Sequence, residues 1–317
     1  MIQLGINIIP VMPVLEIITT IKAAEELGFS HCLLADEGST PDVYATLGAA
    51  ASQTKKIRLG PVTNGYTRHP AVTATAIATL NELSEGRAFL VLVAGGSAVL
   101  DTLAIQRETP LTVVKETLNI CRQIWAGNVT NFQGKKFTLA NFHPEMGEQE
   151  IPIWIAGRGE RILDFAGQKA DGVLLMVKPD IGPALRIVDQ HNNNPLRVYM
   201  DRIAYTPDMI EDSTKIFPYV IKDTPVRQLR GFLTDDEIQL IQSLQNEGGL
   251  EAVSKAITSD MIKRYKVAGT PLECHATIAN LVNENKLDMF VINITTAGLE
   301  SNIAMLRDVK SIVEGNL

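Results

Sequence analysis

The stretch IRLGPVTNGYTRHPAVTATAIATLNELSEGRAFLVLVAGG, residues 57–96, sets the pattern for the whole chain. It opens on one apolar run, Ile57–Val62, and closes near another, Ala88–Val93. Pro70 lies between them, and a proline's fixed φ suits the first position of a helix. Neither run alternates apolar with polar residues. Continuous apolar runs mark strands covered on both faces, which is the situation of a parallel sheet.

The same alternation continues in both directions. Further strand candidates are Leu4–Ile9, His31–Leu34, Ile153–Ala156, Gly172–Met176, Leu196–Tyr205 and Met289–Ile292. Amphipathic stretches separate them. Val14, Ile17, Ile18, Ile21, Ala24 and Leu27 mark one helix face, with Gly28 as its stop. Leu111, Val114, Leu118, Cys121 and Trp125 mark a second, and Ile303, Leu306, Val309 and Val313 a third. The spacing is close to the 3.6-residue helical period. Eight strands, each followed by a helix, predict an α/β fold of the (β/α)8 TIM-barrel type, with an open doubly wound sheet as the alternative. At 317 residues the chain has room for such a barrel plus insertions, since the bare fold needs about 250.

Two stretches exceed the repeat. Residues 128–150, after the fourth helix, are polar and contain Gly and Pro, a pattern open to a hairpin. Residues 207–266, after the seventh strand, hold several helical patches, among them Asp235–Gln245. Both read as insertions at the barrel rim. No low-complexity linker divides the chain, so a single domain over 1–317 is expected.

Composition narrows the function classes. Apolar residues at 45% and charged residues at 21% exclude a disordered or fibrous chain. The net charge of −7 argues against non-specific binding to nucleic acid or to an anionic membrane. No apolar run approaches the roughly 20 residues of a membrane span. The start, Met1-Ile2-Gln3-Leu4, lacks the basic segment of a secretory signal. Cys32, Cys121 and Cys274 are scattered, with no metal-ligand spacing. These features predict a cytoplasmic protein with free thiols and no metal site.

In a barrel the chemistry sits at the carboxyl ends of the strands. Gly157-Arg158-Gly159 follows the fifth strand and opens a helix. Free N–H groups and a positive dipole there suit a phosphate, and Arg158 adds a full charge. The plainer reading is a tight turn with a solvated arginine. Ile162 stands where a dinucleotide fingerprint needs its last glycine. Gly95-Gly96-Ser97 follows the fourth strand and leaves room for a flat or bulky group, or is simply a flexible turn. Asp36 and Glu37 follow the second strand. One of them can face the mouth and bond a ring N–H or move a proton; the alternative is a solvated pair. Thr63 and Asn64 end the third strand. His69, just before Pro70, reads more simply as a local structural residue than as a catalyst.

Taken in order, several motifs resemble one family. They are Ala35-Asp36-Glu37, Ile57–Gly60, Val62–Pro70, Leu80–Arg87, Ala94–Gly96, Pro152–Gly159, Ala170–Val173 and Val267–Pro271. The chain resembles the luciferase-like superfamily of flavin-dependent and coenzyme F420-dependent oxidoreductases. It stands nearest the methylenetetrahydromethanopterin reductase-like branch. The resemblance implies a barrel enzyme, a homodimer or an assembly of dimers, with F420 or FMN across the strand ends. A separate reductase supplying reduced cofactor is a further implied partner. By resemblance, Asp36 lies near the ring, and Pro61, Val62, Thr63 and Asn64 back it in a bulge that in relatives often holds a non-prolyl cis peptide. Gly95, Gly96 and Ser97 line the ring or side chain, and Ala156, Gly157, Arg158 and Gly159 hold the phosphate. Gly86, Arg87, Asp171 and Gly172 look structural. Glu37 is the candidate proton donor or acceptor. Glucose-6-phosphate dehydrogenases of the family carry histidine and glutamate where this chain has Glu37 and Ser97, so that activity is not expected. Hydride transfer to or from a small organic substrate leads the readings. An FMN monooxygenase lidded by 207–266, or a non-catalytic flavin-binding barrel, are the alternatives.

Overall fold

A computed structural model describes residues 2–222 and 224–316; Asp223, inside the second predicted insertion, lies outside them, as do Met1 and Leu317. The elements run β1 (Gln3–Ile8), α1 (Val14–Glu26), β2 (His31–Ala35), α2 (Val43–Ala51), β3 (Arg58–Thr63), α3 (Pro70–Leu83), β4 (Leu90–Val93), α4 (Ser97–Leu100) and α5 (Pro110–Trp125). There follow β5 (Thr130–Gln133), β6 (Thr138–Phe142), β7 (Ile153–Ala156), α6 (Glu160–Lys169), β8 (Gly172–Leu175), α7 (Ile181–Val188) and β9 (Leu196–Asp201). The last are α8 (Pro207–Lys222), α9 (Val226–Leu229), α10 (Asp235–Ala256), α11 (Ser259–Tyr265), α12 (Pro271–Asn285), β10 (Met289–Ile294) and α13 (Leu299–Glu314).

Eight strands close into one parallel barrel in the order β1-β10-β9-β8-β7-β4-β3-β2. Closure joins the first strand to the last, from Gln3↔Met289 to Ile8↔Ile294. An open doubly wound sheet is thereby excluded. One parity of each strand fills the bore with Leu33, Phe89, Val91, Trp154, Leu174, Val198, Met289 and Val291. The other parity packs under the helices, with Ile6, Ile8, Leu34, Leu59, Ile155 and Ile292 in the larger cluster. Both parities are apolar because both faces are dry, which is why the runs did not alternate.

Glycines set the bore where aromatic rings need space. A Cβ on Gly60 would stand 2.5 Å from the Phe89 carbonyl oxygen, and one on Gly172 would stand 2.6 Å from the Trp154 ring. Phe89, Trp154 and His31 stack at the amino end of the bore, with centroids 4.7–5.3 Å apart. Burial, with a smaller contribution from Arg58, pushes the His31 ring down to about 3. It is a neutral core residue.

The structural reading of the turn residues holds. Gly86 takes a φ of 83° after α3. The Arg87 guanidinium donates to the carbonyls of Ala51, Thr54, Ile57 and Ser84 and to the Thr54 hydroxyl. Asp171 accepts from the Ile153 N–H at 2.7 Å and binds Arg122 at 3.1 Å. His69 caps α3, accepting from the Ala71 N–H at 3.2 Å, and its ring meets Phe137 edge-on. It acts here as a local structural residue.

The last strand turns and the inserted stretches take definite form. β9 ends at Asp201, short of the expected Tyr205, because Asp201 accepts from the Tyr199 hydroxyl and the Val267 N–H. Pairing resumes as a single bridge, Ala204↔Ala268. Residues 130–142 form the antiparallel β5–β6 hairpin. Between β9 and α12, helices α8 to α11 bury their own cluster around Phe217, Phe232, Ile241 and Ile262. No helix among the described residues is long and apolar enough to cross a membrane.

The hairpin is held by one carboxylate. Glu116 on α5 is 8% exposed and accepts from the N–H groups of Lys135, Lys136 and Phe137 at 2.7–3.0 Å. Glu116→Ala leaves three turn donors unpaired and is expected to cost about 2–3 kcal/mol. Thermal melting checks the total. Amide exchange of 130–142 checks the place: unchanged protection there would move the anchor elsewhere.

Candidate active site

The carboxyl end of the barrel gathers the expected residues from four strands. Val62, Ala156 and Met200 bring the inner wall up to the mouth. Asp36 is the first residue past β2. Its N–H donates to the Val62 carbonyl at 2.9 Å, and its Oδ2 accepts from the Thr63 hydroxyl at 2.7 Å. Glu37 beside it is half-buried. Burial first, then the Asp36 charge, pushes the Glu37 carboxyl above the usual carboxylate range. The two neighbours thus differ: one is hydrogen-bonded, the other desolvated. Such a split gives two carboxylates separate roles.

Asn64 is committed locally. Its Oδ1 accepts from the N–H groups of Tyr66 at 2.8 Å and Thr67 at 3.1 Å, closing an Asx turn. The side chain is 3% exposed. Its oxygen therefore shapes the loop instead of facing a ring.

The two glycines after β4 have different reasons. Gly95 has φ 77°, and a Cβ there would lie 2.8 Å from Leu100 Cδ1. Conformation and packing require that glycine, so it is not there to leave room for a ligand. At Gly96 a Cβ would meet nothing within 4 Å, so space is open there. Ser97 next to it is exposed and opens α4.

At the β7–α6 turn the glycines also divide. A Cβ on Gly157 would stand 2.6 Å from Ile162 Cγ2, so Ile162 demands that glycine, not an approaching ligand. Gly159 caps α6 from extended backbone. The N–H groups of Glu160 and Arg161 find no backbone or side-chain acceptor among the described residues. Arg158 donates from Nε to Asp180 Oδ2 at 2.7 Å, while its buried Nη2 has no partner. An oriented guanidinium with a spare donor, beside a free helix N-terminus, fits an anionic group of a cofactor.

Two surface clefts lie outside the barrel mouth, the smaller reaching Glu160 and Arg161 at the start of α6. One, of about 590 Å³, is at the strand amino ends by Arg58, Arg122 and Asp171; the other, of about 430 Å³, lies between α5, α6 and α7. Neither is lined by any of the expected residues. Among the described residues, no group of three or more His, Cys, Asp or Glu could hold a metal ion.

A sequence profile described as luciferase-like monooxygenase matches residues 7–284, most of the chain. The chain belongs to that family. Among its relatives, the 5,10-methylenetetrahydromethanopterin reductase of Methanolobus tindarius is 31% identical over 296 residues, covering 88% of this chain and 90% of that one. The Archaeoglobus fulgidus protein of the same name is 30% identical over 287 residues, covering 85% and 86%. The solved F420-dependent tetrahydromethanopterin reductase from Methanopyrus kandleri superposes with a TM-score of 0.83 at 23% identity, covering 97% of this chain and 98% of that one.

Against the luciferase-like pattern, one feature differs. The segment Leu59–Val62 keeps a single register on β4, from Leu59↔Ala88 to Val62↔Val91. No bulge interrupts it. Every peptide bond among the described residues is trans. Phe89 fills the bore beside Gly60.

The mouth also contains polar residues that belong to none of these motifs. Asn7 donates to Asn293 Oδ1 at 2.7 Å across the β1–β10 seam, and its own Oδ1 is buried without a partner. The signal was present as one tripeptide twice, Ile6-Asn7-Ile8 and Ile292-Asn293-Ile294, each an amide inside an apolar strand. Asp180 carried no such signal.

Proposed function

We propose that the protein is an oxidoreductase that binds F420 or FMN across the strand ends and moves a hydride to or from a small organic substrate. The observation that carries this is the unpartnered Arg158 Nη2 at the N-terminus of α6, on the same rim as the Asp36–Glu37 pair. The family and the reductase relatives agree with it. The cofactor supplies the redox chemistry when bound; the chain supplies binding, orientation and proton management.

Each part follows from its chemistry. Arg158 and the α6 N–H groups bind the phosphate, with Asp180 fixing the guanidinium. Gly96 leaves space beside β4, and Val62 walls the ring side. Asp36 orients the ring through a hydrogen bond. Glu37 holds or delivers a proton at its half-buried carboxyl.

Titration of the purified protein with F420 and with FMN, followed by absorbance, tests the reading; failure to bind either ends it. Oxygen uptake with reduced FMN separates the monooxygenase alternative. Arg158→Ala is expected to weaken the intact cofactor about ten- to hundredfold, the equivalent of roughly 1.5–3 kcal/mol. The dephosphorylated form should bind nearly as before. Equal weakening of both forms would put the phosphate elsewhere.

A homodimer in the cytoplasm, folded as one unit, belongs to the same proposal. Helices α2 and α3 support the dimer: Val43–Ala51 carries no charged residue, and Pro70–Leu83 only Glu82. Val72 and Leu83 are more than half exposed. Three buried, unpaired cysteines support a reducing location. Sedimentation velocity checks the assembly, and a monomer at micromolar concentration overturns it.

A further inference from the structure

The helices inserted between β9 and α12 meet the barrel rim at the residues that flank Arg158. Arg227, on α9, bonds the Glu160 carboxylate at 2.7 Å, at the first residue of α6. Gly231 lies beside Pro179; a Cβ there would stand 3.7 Å from the Pro179 Cβ. The Lys178 ammonium donates to the Lys266 carbonyl at 3.0 Å and also to the Lys263 carbonyl. Lys263 is in the last turn of α11, and Lys266 is its C-cap. The last carbonyls of a helix have no donor within it and carry partial negative charge. A lysine of the barrel rim thus closes a helix of the insertion.

Lys178, Pro179 and Asp180 make one 3-10 turn just after β8. The Asp180 N–H closes it on the Val177 carbonyl at 3.0 Å. Its two charged ends hold different things. Lys178 holds α11, while Asp180 Oδ2 accepts from Arg158 Nε at 2.7 Å. Pro179 stands between them with its φ fixed, so the turn moves as one piece. The place of Asp180 sets the direction of the guanidinium, and with it the direction of the buried, unpartnered Nη2. From α11 through Lys178 and Asp180 to Arg158, the side-chain links are charge-assisted hydrogen bonds.

We infer that Lys178 is a positioning residue for Arg158, tying the 178–180 turn to α11 so that the docked insertion becomes part of the anion site. The inference rests on the proposed cofactor reading for the identity of the anion, and not for the coupling of Lys178 to Arg158. Such coupling is reciprocal: α11 steadies Arg158, and an anion on Arg158 steadies α11.

The test is Lys178→Met, which keeps an unbranched stem and removes the donors. In protein isotope-labelled at the arginine side-chain nitrogens, without cofactor, the Arg158 Nε–H is expected to exchange faster with solvent. The backbone amides of α11 should exchange faster with it. Lys178→Arg restores a cationic donor and should bring both back toward the wild-type rates. Affinity for FMN or F420 is expected to fall roughly three- to tenfold, the scale of one lost hydrogen bond. The dephosphorylated form should bind as before. In an Arg158→Ala background Lys178→Met should have no further effect on affinity, as for residues acting through one another. A lysine that only caps α11 would loosen that helix and leave the Arg158 Nε–H unchanged, and that result overturns the inference. Equal weakening of the intact and dephosphorylated forms overturns it as well. Should Lys178→Met fail to fold, the milder Lys178→Gln is read in the same way. If the wild-type chain binds neither F420 nor FMN, the functional reading fails alone, and the Arg158 Nε–H still decides whether Lys178 positions it.

Discussion

Glu37→Gln is expected to lower turnover by about a hundredfold or more while cofactor affinity stays within about twofold. A positioned acid or base contributes roughly 10²–10⁴ in rate, and glutamine keeps the size of the side chain but carries no proton to transfer. Burial raises the Glu37 pKa, and the neighbouring Asp36 raises it further. The carboxyl therefore stays protonated at higher pH than an ordinary glutamate and suits a donor in the reducing direction. Activity in that direction is expected to fall as pH rises through the raised value, and Glu37→Gln should flatten that limb. Stability follows the same sign. The contribution of Glu37 is fully present below its unfolded pKa and is lost as pH rises through the folded one. Rate profiles and melts of both proteins across pH check the two statements. A limb that survives in the glutamine variant would assign the proton to another group.

Gly60→Ala should be the most damaging single methyl group in the barrel. The added Cβ would stand 2.5 Å from the Phe89 carbonyl oxygen and 2.9 Å from its ring carbons. Backbone oxygen cannot swing aside as a side-chain tip can, so β3 and β4 would have to part. Overpacking of this kind costs about 3 kcal/mol or more. Gly96→Ala is the control. Its Cβ would meet nothing within 4 Å, and its φ of −95° suits alanine. It should fold normally, within about 0.5 kcal/mol. Thermal denaturation of the two variants decides the matter: equal stability would mean that the bore is looser than its contacts indicate. Cofactor titration of Gly96→Ala then reads separately whether the open space is used.

Much of the architecture was legible because the barrel is a strong pattern. Strands covered on both faces produce mostly continuous apolar runs, and each of the eight was found within a few residues of its true bounds. The error at Tyr205 arose because Asp201 ends β9 through partners distant in sequence, among them Val267. The rim residues could be located for the same reason, since strand ends follow once strands are found. What each does there was less accessible. Gly157 and Gly95 looked like ligand cradles, and the structure gives them to Ile162 and Leu100. Asn64 looked like a ring neighbour and spends its oxygen on its own turn.

The sequence by itself determined the periodicity, hence the βα repeat and the strand ends at which a site must lie; closure into a barrel rather than an open sheet was decided by the pairing of β1 with β10. It also carried the ordered motifs that mark the luciferase-like family, because those motifs are local. Only the tertiary structure decided which polar atoms are engaged and which are spare. Asp180 reaches Arg158 across 22 residues, and Thr63 reaches Asp36 across 27. Glu37 is half-buried, and its desolvation arises only in the folded chain. Hydrogen bonding and burial depend on distances between segments, and no spacing along the chain encodes those distances.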